Sequence, residues 1–169
     1  LCADSLREAH GTDFALVNSG SIRDSIRKGP VTGRDILSVL PFAGNIVSFR
    51  MTGTELKEML EHGLGFLPGA YGAFPQVSGM AVHIQADAPR GKRVKRLLFP
   101  DGGPVSMKQS YTVAVNSFLA EGGDGYATLA GKTRLAEYGP PQDALQAPIR
   151  RKRASQSAPG PAPRLVLLP

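Results

Sequence analysis

A short strand followed at once by a glycine-rich loop constrains the fold of this chain more than any other stretch. Residues 111–116 read Y-T-V-A-V-N and alternate as a half-buried strand does, and residues 118–126 read F-L-A-E-G-G-D-G-Y. Glycines let a backbone bend sharply or approach a ligand closely. Asp124 can then present its carboxylate to a pair of hydroxyls, and Phe118 can offer a flat apolar face to a ring. Taken alone, the stretch is equally typical of a plain turn with a solvated aspartate.

Alternation and capping motifs predict further strands and helices around this loop. Thr32 with Asp35, and Thr52 with Glu55, have the spacing of capping boxes, so each pair predicts a helix start. The second helix carries apolar residues at helical spacing, which we assign to the core. We expect strands at residues 14–17, 45–51, 80–85, 93–99 and 111–116, helices at 1–10 and 32–40, and an irregular stretch between the glycine-rich loop and residue 146. A chain of 169 residues suits one domain.

The basic charge of the chain is concentrated near its end. Residues 150–169 carry five basic and no acidic side chains, whereas residues 1–149 carry 15 basic and 14 acidic ones. From Ala147 onward the composition offers little apolar area to bury. We therefore predict an ordered domain over residues 1–146 and a disordered basic, Pro-rich tail over residues 147–169. Because the body is nearly neutral and the tail lacks aromatic residues, we expect no nucleic-acid partner.

The sequence offers ligand contacts but no recognisable catalytic group or metal site. Cys2 is the only cysteine, so it has no partner for an internal disulfide. His10, His62 and His83 lie far apart, without a spacing typical of metal ligands. We interpret His62 as structural and His83 as solvated. We find no signal-peptide pattern and no apolar stretch long enough to span a bilayer.

A turn of small residues follows the first predicted strand. Residues 18–23 read N-S-G-S-I-R, which exposes backbone N–H groups and ends in an arginine. Such groups, with the forked guanidinium of Arg23, are suited to binding phosphate. By itself the pattern more often marks a turn with a surface arginine.

Three separated segments together resemble the C-terminal domain of the 5′-nucleotidase family. They are residues 18–23 (N-S-G-S-I-R), 40–42 (L-P-F) and 116–126 (N-S-F-L-A-E-G-G-D-G-Y), beside family patterns of roughly NGGGIR, LPF and NFLAxGGDG followed by Tyr or Phe. The T-G-x-x-L helix start at Thr52 and the F-x-Q-V-S-G segment at residues 74–79 extend the likeness, which runs to about Leu135. The fold that it implies is α/β (α+β), a mixed β-sheet core with flanking helices.

The resemblance implies a set of substrate-binding residues: Asn18, Arg23, Phe42, Phe118, Gly122, Gly123 and Asp124. Phe42 and Phe118 resemble the two aromatics that sandwich the base, and base stacking tolerates different bases. Asp124 resembles the acceptor for the ribose hydroxyls. Asn18 resembles the side chain that contacts the base, and Arg23 the one that steadies the phosphate.

Some positions depart from the family pattern. Ser19 and Ser21 replace the usual glycines, which is expected to narrow the floor of the pocket slightly. The P-F-A-G-N stretch has one residue more than the commoner family pattern P-F-G-N, which puts a base contact by Asn45 in doubt. The opening L-C-A-D-S-L resembles a family helix without its leading half, so we expect a truncated N-terminal helix and an unpaired Cys2.

The function implied by the resemblance is hydrolysis of a nucleoside 5′-monophosphate such as AMP to a nucleoside and phosphate. In that family an N-terminal metallophosphoesterase domain holds two divalent metal ions, which we take to be zinc. The C-terminal domain, which this chain resembles, binds the nucleotide. We therefore expect no cofactor in this segment, and no catalysis by it alone. A non-catalytic nucleoside- or nucleotide-binding module is the alternative. The resemblance implies an extracellular, cell-surface or periplasmic parent protein, and it leaves a homodimer open.

Overall fold

A computed structural model describes residues 1–69, 71–151 and 163–168 of the chain. The helices in this part are α1 (Cys2–His10), α2 (Gly33–Val39), α3 (Gly53–Leu64), α4 (Ser117–Ala120) and α5 (Pro141–Arg151). The strands are β1 (Phe14–Asn18), β2 (Ile46–Thr52), β3 (Pro75–Ser78), β4 (Ala81–Ile84), β5 (Val94–Leu98), β6 (Ser110–Asn116), β7 (Arg134–Glu137) and β8 (Leu165–Leu167).

The strands form two mixed sheets, which confirms the α/β (α+β) fold. The larger sheet has the order β3-β1-β6-β2-β7, with β1 parallel to β6 and the other pairs antiparallel. The smaller sheet has the order β5-β4-β8, with β8 parallel to β4. Because β1 and β6 are parallel, their last residues, Asn18 and Asn116, lie at the same edge of the sheet.

Strand β1 of the larger sheet is buried on both faces. Successive strand residues point to opposite faces, so Phe14 and Leu16 of β1 join the cluster that includes α3 and the smaller sheet. Ala15 and Val17 face the other way, into the cluster with Leu6 of α1 and Ala144 of α5. A strand buried on both faces is a rigid base for whatever follows its last residue.

Both predicted capping boxes are present. The side chains of Thr32 and Thr52 accept hydrogen bonds from the backbone N–H of Asp35 and Glu55, whose carboxylates bond back to the threonine N–H groups. These reciprocal bonds satisfy donors at the helix start that have no partner within the helix. The apolar face of α3 is fully buried, as its spacing predicts: Leu56, Met59, Leu60 and Leu64.

The end of the chain is more ordered than we predicted. Strand β7 and helix α5 lie in the stretch expected to be irregular, and α5 continues to Arg151, beyond the predicted boundary at residue 146. Residues 165–167 form β8, so the prediction of a disordered tail is wrong for these residues. The remainder of that tail, residues 152–162 and 169, lies outside the described residues.

Strand β8 is held by partners that composition does not reveal. It covers the edge of β4, and the Val82 N–H donates to the Arg164 carbonyl at 2.7 Å. A short edge strand gains its order from such backbone bonds and needs little apolar area of its own. The Arg164 guanidinium also lies 2.5 Å from the Asp4 carboxylate and donates to the Val77 carbonyl at 2.9 Å.

The Arg164–Asp4 pair gives a prediction for stability. Burial acts to raise the pKa of Asp4, but hydrogen bonds from Ser78 and Arg164 and nearby positive charge outweigh it, so the pKa is lowered. Arg164→Met keeps much of the apolar stem and removes the bonds of the guanidinium to Asp4 and to the Val77 carbonyl, so it should lower the free energy of unfolding by about 1.5–3 kcal/mol at neutral pH. The control is Arg50→Met, at an exposed arginine of β2.

The same pair predicts a pH dependence. A carboxylate whose pKa is lower in the folded state stabilises the fold above its unfolded pKa and stops doing so as the pH falls through the folded pKa. The difference in unfolding free energy between wild type and Arg164→Met should therefore shrink as the pH falls below about 4. Denaturant unfolding across that range measures it. A difference that is independent of pH would contradict the assignment to Asp4.

Candidate functional site

A cleft of about 450 Å³ opens at the edge where β1 and β6 end. Asn18 and Asn116 form part of its wall because they are the last residues of these two parallel strands. The other lining residues come from the loops that follow or face the strands, and they include Arg23, Phe42, Phe118 and Asp124. The cleft therefore collects residues that are about a hundred positions apart in the sequence.

A network of side-chain hydrogen bonds links both strand ends to the glycine-rich loop. Asn18 donates through Nδ2 to the Asp124 carboxylate at 2.7 Å. Its Oδ1 accepts from Ser21 Oγ at 2.5 Å and from Asn116 Nδ2 at 3.0 Å. Asn18 is almost fully buried, and these bonds offset the loss of water around its amide. The network fixes the side chain of Asp124 at the cleft wall.

Asp124 has an unusual backbone conformation. Its φ is +52°, and it is the one non-glycine residue with positive φ in the part of the chain that the structure describes. Neighbouring Gly122 and Gly125 have φ of +88° and +81°, which glycine adopts readily. The Asp124 carbonyl lies 2.8 Å from His62 Nε2 on α3. Because a carbonyl oxygen only accepts, Nε2 must carry the hydrogen in this contact.

Tyr126 anchors the far end of the same loop. Its hydroxyl donates to the Ala73 carbonyl at 2.5 Å, and its ring is fully buried. Burial, together with the nearby charge of Asp124, raises the pKa of Tyr126. The hydroxyl therefore stays protonated as a donor, and the loop after β6 is fixed at both ends.

Phe118 lies on the short helix α4, in the stretch that we interpreted as a glycine-rich loop after the strand. Strand β6 stops at Asn116, whose Oδ1 accepts from the Leu119 N–H at 2.9 Å and so caps α4. The Phe118 side chain is 51% exposed. Its ring lies against Gly123, where a Cβ would approach Phe118 Cζ to 2.5 Å. The glycine thus leaves room for the aromatic ring.

Phe42 projects from a loop that is held through its backbone. Its side chain is 52% exposed. The Gln142 amide on α5 donates to the carbonyls of Leu40 and Phe42 at 2.5 and 3.2 Å. The Arg23 guanidinium lies 5.8 Å from the centre of the Phe42 ring. Sequence reasoning missed Gln142, because it lies in a stretch interpreted as irregular and about 100 positions from its partners.

Comparison with known proteins identifies the family. Residues 1–131 match the family described as 5′-nucleotidase, C-terminal domain. The chain belongs to this family. Among the solved structures similar to it, the 5′-nucleotidase precursor from Thermus thermophilus has a TM-score of 0.86 and 29% identity, covering 99% of this chain and 34% of that one. The resemblance that we drew from three motifs is thereby confirmed.

Curated relatives of this 5′-nucleotidase C-terminal domain are much longer proteins. The trifunctional nucleotide phosphoesterase protein YfkN of Bacillus subtilis is 38% identical over 137 residues, which are 79% of this chain and 9% of that protein. The 5′-nucleotidase of Vibrio vulnificus is 37% identical over 131 residues, 78% of this chain and 22% of that protein. The chain therefore spans less than a quarter of either relative.

The fold of this 5′-nucleotidase C-terminal domain brings five of the seven predicted site residues to one cleft: Asn18, Arg23, Phe42, Phe118 and Asp124. Gly122 and Gly123 shape the loop beside the Phe118 ring and are not among the lining residues. Ser21 lines the cleft and bonds to Asn18. The amide of Asn45 instead donates to Glu137 at 2.8 Å. The contacts of these residues with a nucleotide stay predictions.

The three histidines lie in different surroundings. His10 stacks on Tyr138, His62 contacts the Asp124 carbonyl, and His83 lies on β4 opposite Arg96. Within residues 1–69, 71–151 and 163–168, no group of three or more His, Cys, Asp or Glu side chains is arranged to hold a metal ion. None of the helices described is both long and apolar enough to span a bilayer.

The contact between Phe118 and Gly123 gives a prediction for this domain. In Gly123→Ala the new Cβ meets only the Phe118 ring among its three nearest atoms, so the ring should swing away from the loop. Because Phe118 is half exposed, we expect the free energy of unfolding to change by less than about 1 kcal/mol. A crystal structure and a denaturant titration of the variant measure both effects. Gly33→Ala, where a Cβ meets nothing within 4 Å, is the control. An unmoved ring would contradict the account.

Proposed function

We propose that this chain is the nucleotide-binding domain of a 5′-nucleotidase-type phosphohydrolase. The observation that carries the proposal is the cleft itself, where two half-exposed phenylalanines share a wall with a carboxylate held by a buried asparagine. Large apolar side chains exposed at a cleft favour a planar apolar ligand over water. Membership of the family and the names of its relatives support the choice of a nucleotide.

Each part of a nucleoside 5′-monophosphate has a suitable partner in the cleft. Phe42 and Phe118 offer ring faces to the base, and stacking of this kind does not require one particular base. Asp124 accepts hydrogen bonds from ribose hydroxyls, and its charge strengthens them. Arg23 at the rim offers a guanidinium for phosphate. A charged nucleotide is thus oriented by its base and sugar.

The chemical step belongs elsewhere in the proposed enzyme. A divalent metal site, zinc in our proposal, supplies an activated water and neutralises charge on the phosphate when such an enzyme cleaves its substrate. The described residues of this domain show no such ligand group, so we place the metals in an N-terminal metallophosphoesterase domain of the parent protein. The role of this chain is to bind and orient the nucleotide. We place the parent protein outside the cytoplasm, at the cell surface or in the periplasm.

A second candidate is a nucleoside-binding module without catalysis. It rests on the same cleft, whose lining includes two phenylalanines for a base and Asp124 for ribose hydroxyls. The two candidates differ in what precedes the domain in the parent gene. A coding sequence that continues upstream into D-x-H, G-D and N-H-E/D metal motifs supports the hydrolase, and its absence supports the module.

The base clamp is tested by removing each ring. Phe42→Ala and Phe118→Ala should each weaken adenosine binding by roughly 1–3 kcal/mol because one stacking face is lost. Both side chains are half exposed, so we expect the free energy of unfolding to change by less than about 1 kcal/mol. Calorimetric titration with adenosine and denaturant unfolding give the two values.

A buried phenylalanine serves as the matched control for the clamp. Phe49 is 1% exposed, so Phe49→Ala should destabilise the fold by about 3–5 kcal/mol. If Phe42→Ala or Phe118→Ala destabilised the fold to this extent and left adenosine affinity intact, the rings would be core residues and the clamp would be wrong.

The division of labour predicts that the chain alone does not hydrolyse AMP. Purified protein supplied with zinc or manganese should release no phosphate above the blank, because the proposed metal ligands lie in another domain. A colorimetric phosphate assay measures this. Steady turnover that survives removal of contaminating phosphatases would contradict the proposal and direct attention to the three histidines.

A further inference from the structure

The conformation of Asp124 requires a restraint from the protein around it. A residue with a Cβ is disfavoured at positive φ, although aspartate tolerates it better than most. Such conformations persist where the surrounding structure holds them, and they cluster at ligand sites. The φ of +52° determines where the side chain leaves the backbone, and so where the carboxylate lies in the cleft.

Two hydrogen bonds act on Asp124 from opposite ends. Asn18 holds the carboxylate from the cleft side at 2.7 Å. His62 contacts the carbonyl at 2.8 Å from α3. The bond to the carboxylate acts on the side chain, whereas the bond to the carbonyl acts on the peptide that follows Asp124. The N–H of that peptide, from Gly125, donates to the Gly122 carbonyl at 3.1 Å, and His62 holds its carbonyl side. The His62 contact therefore acts on the backbone conformation directly.

The ring of His62 is itself held in place. It meets Tyr126 and Phe66 edge-on, with ring centres 4.9 and 5.8 Å apart. The loop lies directly on the imidazole, since a Cβ at Gly125 would approach His62 Cε1 to 2.9 Å. A donor fixed by aromatic packing and touching the loop is suited to setting the position of the loop.

We propose that His62 is a positioning residue, whose Nε2–H holds the Asp124 carbonyl and thereby aims the Asp124 carboxylate into the cleft. The inference deepens the proposed function and rests on it for the identity of the ligand. The sequence does not predict this role, because His62 lies on a helix whose apolar residues we assigned to the core.

The test separates the hydrogen bond from the packing of the ring. His62→Phe keeps an aromatic ring and removes the donor, whereas His62→Gln carries an amide nitrogen at the same number of bonds from the backbone. The full chain is used, and three quantities are measured for each variant: the NMR resonances of the Asn18 side-chain amide, the adenosine affinity and the unfolding midpoint.

In His62→Phe we expect the Asn18 amide resonances to shift and adenosine binding to weaken about tenfold, as loss of one hydrogen bond implies. His62→Gln should restore both while the midpoints of the two variants stay similar. The proposal is overturned if His62→Phe leaves the resonances and affinity unchanged. It is also overturned if both variants lose affinity in step with their midpoints.

The experiment still tests the proposal if a variant does not fold or if the wild type binds no adenosine. If His62→Phe does not fold, His62→Asn replaces it, because its shorter amide does not reach the carbonyl. Tighter adenosine binding by His62→Gln than by His62→Asn then supports the proposal, and equal binding overturns it. If the wild type binds no adenosine, the proposed function fails. The Asn18 resonances in the same variants then decide the role of His62 without a ligand.

Discussion

The hydrogen bond between Asn18 and Asp124 is the interaction on which the site depends. It exists because β1 and β6 run parallel, so that Asn18 and Asn116 end at one edge of the sheet, on two strands that have buried residues on both faces. Ligands of open α/β sheets commonly bind beyond the carboxyl ends of strands for the same geometric reason. The buried asparagine bonds to Ser21, Asn116 and Asp124, and it thereby holds the Asp124 loop in position relative to the sheet.

The two half-exposed phenylalanines of the cleft are held through the backbone around them and not by burial of their own side chains. Gln142 fixes the carbonyls around Phe42, and Asn116 caps the helix that carries Phe118. Both rings therefore stay half exposed and available to a ligand, while the loops beneath them are tied to the sheet and to α5. Rigid supports under exposed aromatics limit the conformational entropy that binding removes.

Local chemistry made much of this structure predictable. The two capping boxes, the strand before the glycine-rich loop and the apolar face of α3 follow from residues close together in the chain. The roles of Gln142 and His62, and the order of β8, depend on partners far away in sequence. For β8 the composition of the tail also argued against order. The ordered motifs predicted seven site residues, and five of these line one cleft. The motifs did not show that Phe118 lies on a helix.

A crystal structure of the chain with adenosine tests the central claim most directly. We predict that the adenine ring lies between Phe42 and Phe118, with both ribose hydroxyls about 3 Å from the Asp124 carboxylate. The Asn18–Asp124 bond should be retained. Adenosine bound outside the cleft, or bound in it with the base away from both rings and the ribose away from Asp124, would contradict the account.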